Sequence, residues 1–288
     1  MIKTAQIRIS DELKIKLRRL ADRYEVASFT EEDPSQFLKW YEPEAGRGTV
    51  ADVEAAAFIA AMLAFGNRKQ FIPKVREILQ TSDRSLGSVS KWLKTGAFAK
   101  DFPHGAAKFY RFYSYDDMQI FFGELGSILN KAKTLGDFFE LKFKEGKAFP
   151  SLQPASQSSA TPSPRGTPPK TPEHLCLADY VAAAFPKSAI VPKGHSSANK
   201  RIHMFLRWMV RRDSPVDLGL WQWADPAGLL IPLDVHVMQE AGELGLIPPS
   251  AAASRKTAEL LTVSLNLVFP GDPCRGDYAL FGLGVDKQ

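Results

Sequence analysis

The chain has 288 residues and only two cysteines, Cys176 and Cys274. Two thiols cannot build a four-cysteine zinc site or ligate an iron–sulfur cluster, and they exclude a disulfide-dense secreted scaffold. No apolar run approaches the roughly 18 residues of a membrane-spanning helix. The opening stretch, MIKTAQIRISDELKIKLRRL, carries charges throughout and has no apolar core of a signal peptide. The expectation is a cytoplasmic protein with no membrane association. Strand signals are also scarce, with no period-two runs of β-branched residues between turn dipeptides. What is present is 44% hydrophobic and 24% charged residues, the balance of a folded globular chain. A formal charge of +5 points mildly to a polyanionic partner.

Helical patterns fill the chain. Ser10 reads as an N-cap, with Asp11 and Glu12 in the first turn of a helix ending near Tyr24. Thr49 stands three residues before Asp52, a capping-box start for a helix that is apolar on every face from Ala55 to Phe65 and therefore buried. Gly66 ends it, Asn67 and Arg68 follow, and a third helix runs from about Phe71 to Leu79. Further helices are predicted over 88–95, 105–112, 115–130, 134–143, 175–184, 197–212, 226–230, 233–245, 254–268 and 276–282. Residues 151–172 contain six prolines, many Ser and Thr, one Leu and no acid, which predicts a flexible loop. The organisation expected is an N-terminal helical region over 1–150, the Pro/Ser-rich loop over 151–172, and a hairpin-helix region with C-terminal helices over 173–288.

Two segments carry chemistry. In residues 192–212, PKGHSSANKRIHMFLRWMVRR, there are six Lys or Arg and no acid. Small residues (Gly194, Ser196, Ser197, Ala198) lead into a helix, with Ser196 or Ser197 as its cap. Backbone N–H groups at such a start can hold a phosphate. Ile202, Phe205, Leu206 and Met209 form the apolar stripe, whereas Lys200, Met204, Arg207 and Arg211 lie on the other side. This composition alone also fits an ordinary solvated basic face. The second segment, LLIPLDVHVMQEAGELGL at 229–246, places Asp234 as the N-cap of a helix with His236 two residues on. No further acid or histidine pair lies close in sequence, so no metal is expected.

Together these segments resemble the helix-hairpin-helix (HhH-GPD) DNA glycosylase superfamily. There, a hairpin of small residues leads into a helix bearing a nucleophilic lysine, and an aspartate starts a later helix. The corresponding stretches are SSANKRIHMFLRWMV with Lys200 and IPLDVHV with Asp234. EAGELGL is similar to the helix that ends Arg-x-x-x-Arg-Leu-Gly-Leu, without its arginines, and AAMLAFGNR resembles the buried helix ending in Leu-Ser-x-Gln, with Asn67 at the position of the DNA-wedging glutamine. AFGNR, KRIHMFLRWMVRRDSPVDLGLW, PLDVHV and DYALFGLGV are similar to a bacterial branch of the superfamily. The resemblance covers most of 50–130 and 190–285. Three features depart from it: Ser196 and Ala198 stand at the hairpin glycine positions, the iron–sulfur loop is missing, and the Lys200–Asp234 gap is closer to the archaeal 8-oxoguanine type than to endonuclease III.

The resemblance implies an all-α, two-lobed fold with a central cleft, and a monomeric, nucleoid-associated repair glycosylase, either monofunctional or with AP lyase activity as well. Its partner would be double-stranded DNA containing a damaged base, such as 8-oxoguanine, extruded from the stack; no cofactor is implied. Lys200 would attack C1′ and Asp234 would stabilise the developing positive charge. The implied DNA contacts are Lys193, Gly194, His195, Ser196, Ser197, Asn199, Arg201, Arg207 and Arg211, with Asn67 and Arg68 at the gap left in the duplex. Phe65, Phe112, Trp221, Trp223 and His236 are candidates for the base pocket, although each aromatic also fits core packing. Two other readings stand beside this one: a non-catalytic binder of damaged or abasic DNA with the same fold, and an unrelated helical protein for RNA or a protein partner.

Overall fold

In the computed structural model, residues 9–31, 33–146 and 176–287 are described. The predicted loop over 151–172 lies outside them. Twelve α-helices occur among the described residues: α1 (Asp11–Tyr24), α2 (Val50–Leu63), α3 (Arg68–Leu86), α4 (Val89–Thr95), α5 (Phe98–Asp101), α6 (Tyr115–Lys131), α7 (Leu135–Glu145), α8 (Leu177–Ala183), α9 (Lys200–Val210), α10 (Val235–Glu243), α11 (Arg255–Asn266) and α12 (Gly276–Asp286). The protein is predominantly helical. No helix among the described residues is long and apolar enough to cross a membrane.

Capping chemistry explains where several helices start. Ser10 caps α1, and Thr49 with Asp52 closes a reciprocal capping box on α2. Ser114–Asp117 and Thr134–Asp137 do the same for α6 and α7. The third helix is longer at both ends than its apolar pattern suggested, because Asn67 caps it and Gly87, in the left-handed region, terminates it.

One predicted helix is not one. Residues 105–112 contribute a short antiparallel hairpin, β1 (Lys108–Tyr110) with β2 (Tyr113–Ser114), turning through Arg111 at φ 50°. Pro103 and Gly105 interrupt a helix there, and the cap at Ser114 commits the chain to α6 only from Tyr115. The aromatic run that looked helical instead buries Phe109, Tyr110 and Tyr113 on the hairpin and leaves Phe112 exposed at its turn.

Two apolar cores form. The larger surrounds α2, from Ala55 to Leu63 wholly buried, and draws on α3, α4, α6, α7, α8 and the apolar face of α9. The smaller joins α1 to α10, α11 and α12. The cores therefore do not divide at residues 151–172: α1 packs with the C-terminal helices, and α8 and α9 complete the core of the N-terminal ones. Gly282 permits the α1–α12 contact, because a Cβ there would collide with the Tyr24 ring. Arg23 and Tyr24 both reach Asp286 across the same seam.

Inside the larger core sits Glu54, which accepts from the Trp221 indole at 2.8 Å and from the Gly136 amide at 3.1 Å. Burial pushes its carboxyl up to about 7 against these two donors. Trp221, 1% exposed, is thus part of the interior and no base pocket, and half-buried Trp223 packs against that core, stacked on Trp221 at 5.6 Å. The folded pKa of Glu54 lies above its unfolded value, so its contribution to stability is full below about pH 4.5 and is lost as pH rises to about 7. The slope is at most about 1.4 kcal/mol per pH unit. Melting curves from pH 5 to 7.5 should fall more steeply for the wild type than for Glu54→Gln, Asp277 titrating in both; equal slopes in the two proteins would contradict this assignment.

Candidate functional site

The two segments singled out in the sequence meet where the two cores adjoin. Lys200 is the first residue of α9, and its Nζ lies 2.9 Å from Asp234 Oδ2. Asp234 caps α10, its Oδ1 accepting the Val237 amide at 2.9 Å. One carboxylate oxygen is spent on the helix start, which fixes the direction of the other toward Lys200. The lysine side chain is 36% exposed and the aspartate 11%, so the pair sits at a mouth rather than in the interior.

On one side of the pair is a cavity of about 180 Å³, with Phe65, Arg68, Arg207, His236, Asp277 and Phe281 among its walls. His236 meets the Phe281 ring edge-on at 5.9 Å, and the Arg68 guanidinium lies 5.3 Å from the same ring. On the other side an open groove runs between the turn Ala64–Gly66 and the start of α10, past Ser197, Asn199 and Arg201.

The turn before α9 is built differently from expectation. Neither Ser196 nor Ser197 caps the helix. Asn199 occupies the N-cap position at φ 41°, and its Nδ2 donates to the Gly194 carbonyl at 3.1 Å. Gly194, Ser196 and Ser197 are exposed, and the turn is pinned to the start of α11 by the Arg255 amide donating to the Ser196 carbonyl at 2.9 Å. Exposed Lys193 donates to the carbonyls of Pro186 and Ser188, and His195 Nδ1 faces Asp179 at 3.2 Å. Arg201 lies over Phe65 at 4.9 Å and donates to the Met62 carbonyl, holding α9 against the end of α2.

Arg207 and Arg211 require correction. The helical wheel placed them correctly on the Lys200 side of α9, but that side is covered. Arg207 is 5% and Arg211 2% exposed, so neither can contact a phosphate. Arg207 pairs with Asp217 and Asp277; Arg211 pairs with Glu25, Asp217 and Asp272. Counting charges over 192–212 saw no acid because Asp217 lies in the loop just beyond that segment and Glu25, Asp272 and Asp277 come from distant parts of the chain.

Asn67 is exposed, but its Oδ1 accepts the Lys69 amide at 2.9 Å as the cap of α3. Phe112 is 60% exposed on the hairpin turn, 5.4 Å from Phe65, and lies outside the cavity.

Sequence reasoning missed Asp277. It stands in the first turn of α12, bonded to Arg207 and facing the cavity. Burial pushes its carboxyl up to about 6; the Arg207 cation opposes this, and the Asp234 charge adds to it. The signal was its place in DYALFGLGV, which reads only as a helix start. Neither cysteine offers an activated thiol: burial pushes Cys176 up to about 11 and Cys274 further. Among the described residues, no group of three or more His, Cys, Asp or Glu is arranged to hold a metal ion.

A family model described as "Protein of unknown function (DUF2400)" matches residues 33–286. No curated protein and no solved structure matches the chain.

The buried arginines yield a direct test. Arg207→Met strands buried carboxylates and should cost about 3–5 kcal/mol in urea unfolding. A change below about 0.5 kcal/mol, as for a surface phosphate contact, would contradict the network.

Proposed function

The chain belongs to the DUF2400 family, and from the geometry of its cleft together with the sequence resemblance we propose that it is a DNA repair glycosylase with AP lyase activity. The observation that carries this reading is the Lys200–Asp234 pair, 2.9 Å apart at the mouth of a cavity lined by rings and polar groups. An amine beside a carboxylate is the pairing that substitution at a sugar C1′ needs.

In this reading a damaged nucleotide leaves the duplex and its base enters the cavity, with the sugar at the mouth. Lys200 gives up its ammonium proton by way of Asp234 to the departing base, so that Asp234 is ionised again and faces the positive charge that grows on the sugar as the C1′–base bond breaks. The bond's electron pair leaves with the base, which takes that proton. The neutral amine adds at C1′; opening of the sugar ring gives a Schiff base, and β-elimination then breaks the strand. Phe65, Phe281 and His236 offer faces and edges to the base, while Asp277 and Arg68 offer it polar partners. An oxidised purine such as 8-oxoguanine is the substrate proposed from the sequence resemblance. Double-stranded DNA carrying the lesion is the partner, the protein acts as a monomer, and no cofactor takes part.

The groove past Ser197 and Asn199, with exposed Gly194 and Ser196 on the same turn, is where the phosphate backbone would run. One observation favours a second reading. An ammonium held by a carboxylate is not a nucleophile, so a chain that kept the ion pair intact on DNA would bind abasic or damaged sites without cutting them.

Borohydride trapping on duplexes containing an abasic site distinguishes the two. Wild type should give a covalent adduct, and Lys200→Gln none. Asp234→Asn, which retains a capping side chain, should slow adduct formation about 100- to 1000-fold. Tight, lesion-selective binding with no adduct would overturn the Schiff-base step, and with no base release from any lesion duplex either it would favour the second reading over the first.

A further inference from the structure

The Lys200–Asp234 pair accounts for base release and for the Schiff base, but not for the step that breaks the strand. In that step a proton must leave C2′ of the sugar while C1′ is bonded to Lys200. Asp234 is already committed: its Oδ1 accepts the Val237 amide and its Oδ2 holds the lysine nitrogen. A second carboxyl lines the same cavity. Asp277, in the first turn of α12, is 6% exposed and accepts a hydrogen bond from Arg207 on Oδ2. Among the described residues, no hydrogen bond reaches its Oδ1.

The charged and titratable groups lining the cavity with it are Lys200 and Arg207 on α9, Asp234 and His236 on α10, Arg68 on α3, and Asp33 between α1 and α2. Asp33 caps the turn that follows it, through the Ser35 amide. Asp277 instead feels the charges of both Lys200 and Asp234, so it is a neighbour of the reacting pair; Asp217 acts on it as well. We propose that Asp277 is the general base of strand cleavage, taking the C2′ proton once the released base has left the cavity. The inference rests on the glycosylase reading with its lyase step and assigns the base for that step. The carboxylate takes the proton from C2′, the C2′–H electron pair becomes the C2′–C3′ double bond, and the C3′–O bond breaks with its pair leaving on the phosphate. A general base works best when its pKa lies near the working pH. Burial pushes the Asp277 carboxyl up to about 6; the Arg207 cation opposes this, and the Asp234 charge adds to it. The group is therefore ionised, and competent as a base, above about pH 6, and protonated below it.

The test is a single-turnover reaction on duplex DNA with one abasic site, read as adduct trapped by cyanoborohydride and as strand cleaved without it. Cleavage per adduct should rise through about pH 6 in the wild type and then level off. Asp277→Asn, whose amide oxygen can still accept from Arg207, should give an adduct but cleave it about 100- to 10,000-fold more slowly and without that pH dependence. Wild-type cleavage per adduct in Asp277→Asn would overturn the assignment and leave the glycosylase reading standing. If Asp277→Asn folds too poorly to form an adduct, the wild-type profile decides: a ratio that is flat from about pH 5 to 8 overturns the assignment. A wild type that forms no adduct would overturn the lyase step, and this inference with it.

Discussion

Two guanidinium groups inside the molecule set the positions of everything around them. Arg207 and Arg211 project from α9 into a region closed to water, where an unpaired charge is costly. Their carboxylates come from Glu25 after α1, Asp217 in the loop after α9, Asp272 before α12 and Asp277 within it. Tyr278 adds a hydroxyl donated to Asp217 at 2.9 Å. The beginning, middle and end of the chain are thereby joined through one helix. Because α10 packs on α12, the same network fixes how far the Asp234 cap stands from the first residue of α9. The Lys200–Asp234 distance is thus a product of charge pairing about two and three turns further along.

Stability and chemistry meet at Asp277. Its contact with Arg207 belongs to the interior network, yet its carboxyl also faces the cavity. Held near a pKa of about 6 by burial and by the charge of Asp234, it can change protonation close to neutral pH. A ligand in the cavity would meet a carboxyl whose state depends on what else is bound. The wall opposite is apolar and aromatic, so orientation of a ligand falls to a few polar atoms.

Much of this was legible in the sequence because it is local. Thr49–Asp52 announces α2, and an all-apolar run from Ala55 announces that it is buried. Asp234 reads as a cap, and it is one. Lys200 could be placed at the start of α9 and on its non-core side. What was not legible is non-local. The acids that claim Arg207 and Arg211 lie between six and 186 residues away, so a helical wheel showed a basic face where the fold has an interior one. Trp221 and Trp223 resembled stacking faces until Glu54 and Phe139 were found beside them. The β1–β2 hairpin has too few residues to display a period-two pattern, and its aromatics mimicked a helix. Asp277 carries no local signal of a site at all, since only tertiary structure brings it to the cavity.

The proposal stands or falls on whether the cleft releases a base from DNA. Single-turnover base release on duplexes carrying 8-oxoguanine, uracil, thymine glycol or an alkylpurine measures it directly. The account predicts release from at least one of these duplexes, fastest with an oxidised purine, and abolition of that release when both Lys200 and Asp234 are replaced by their amide counterparts Gln and Asn. No release from any duplex, or release that persists in the double variant, would contradict it.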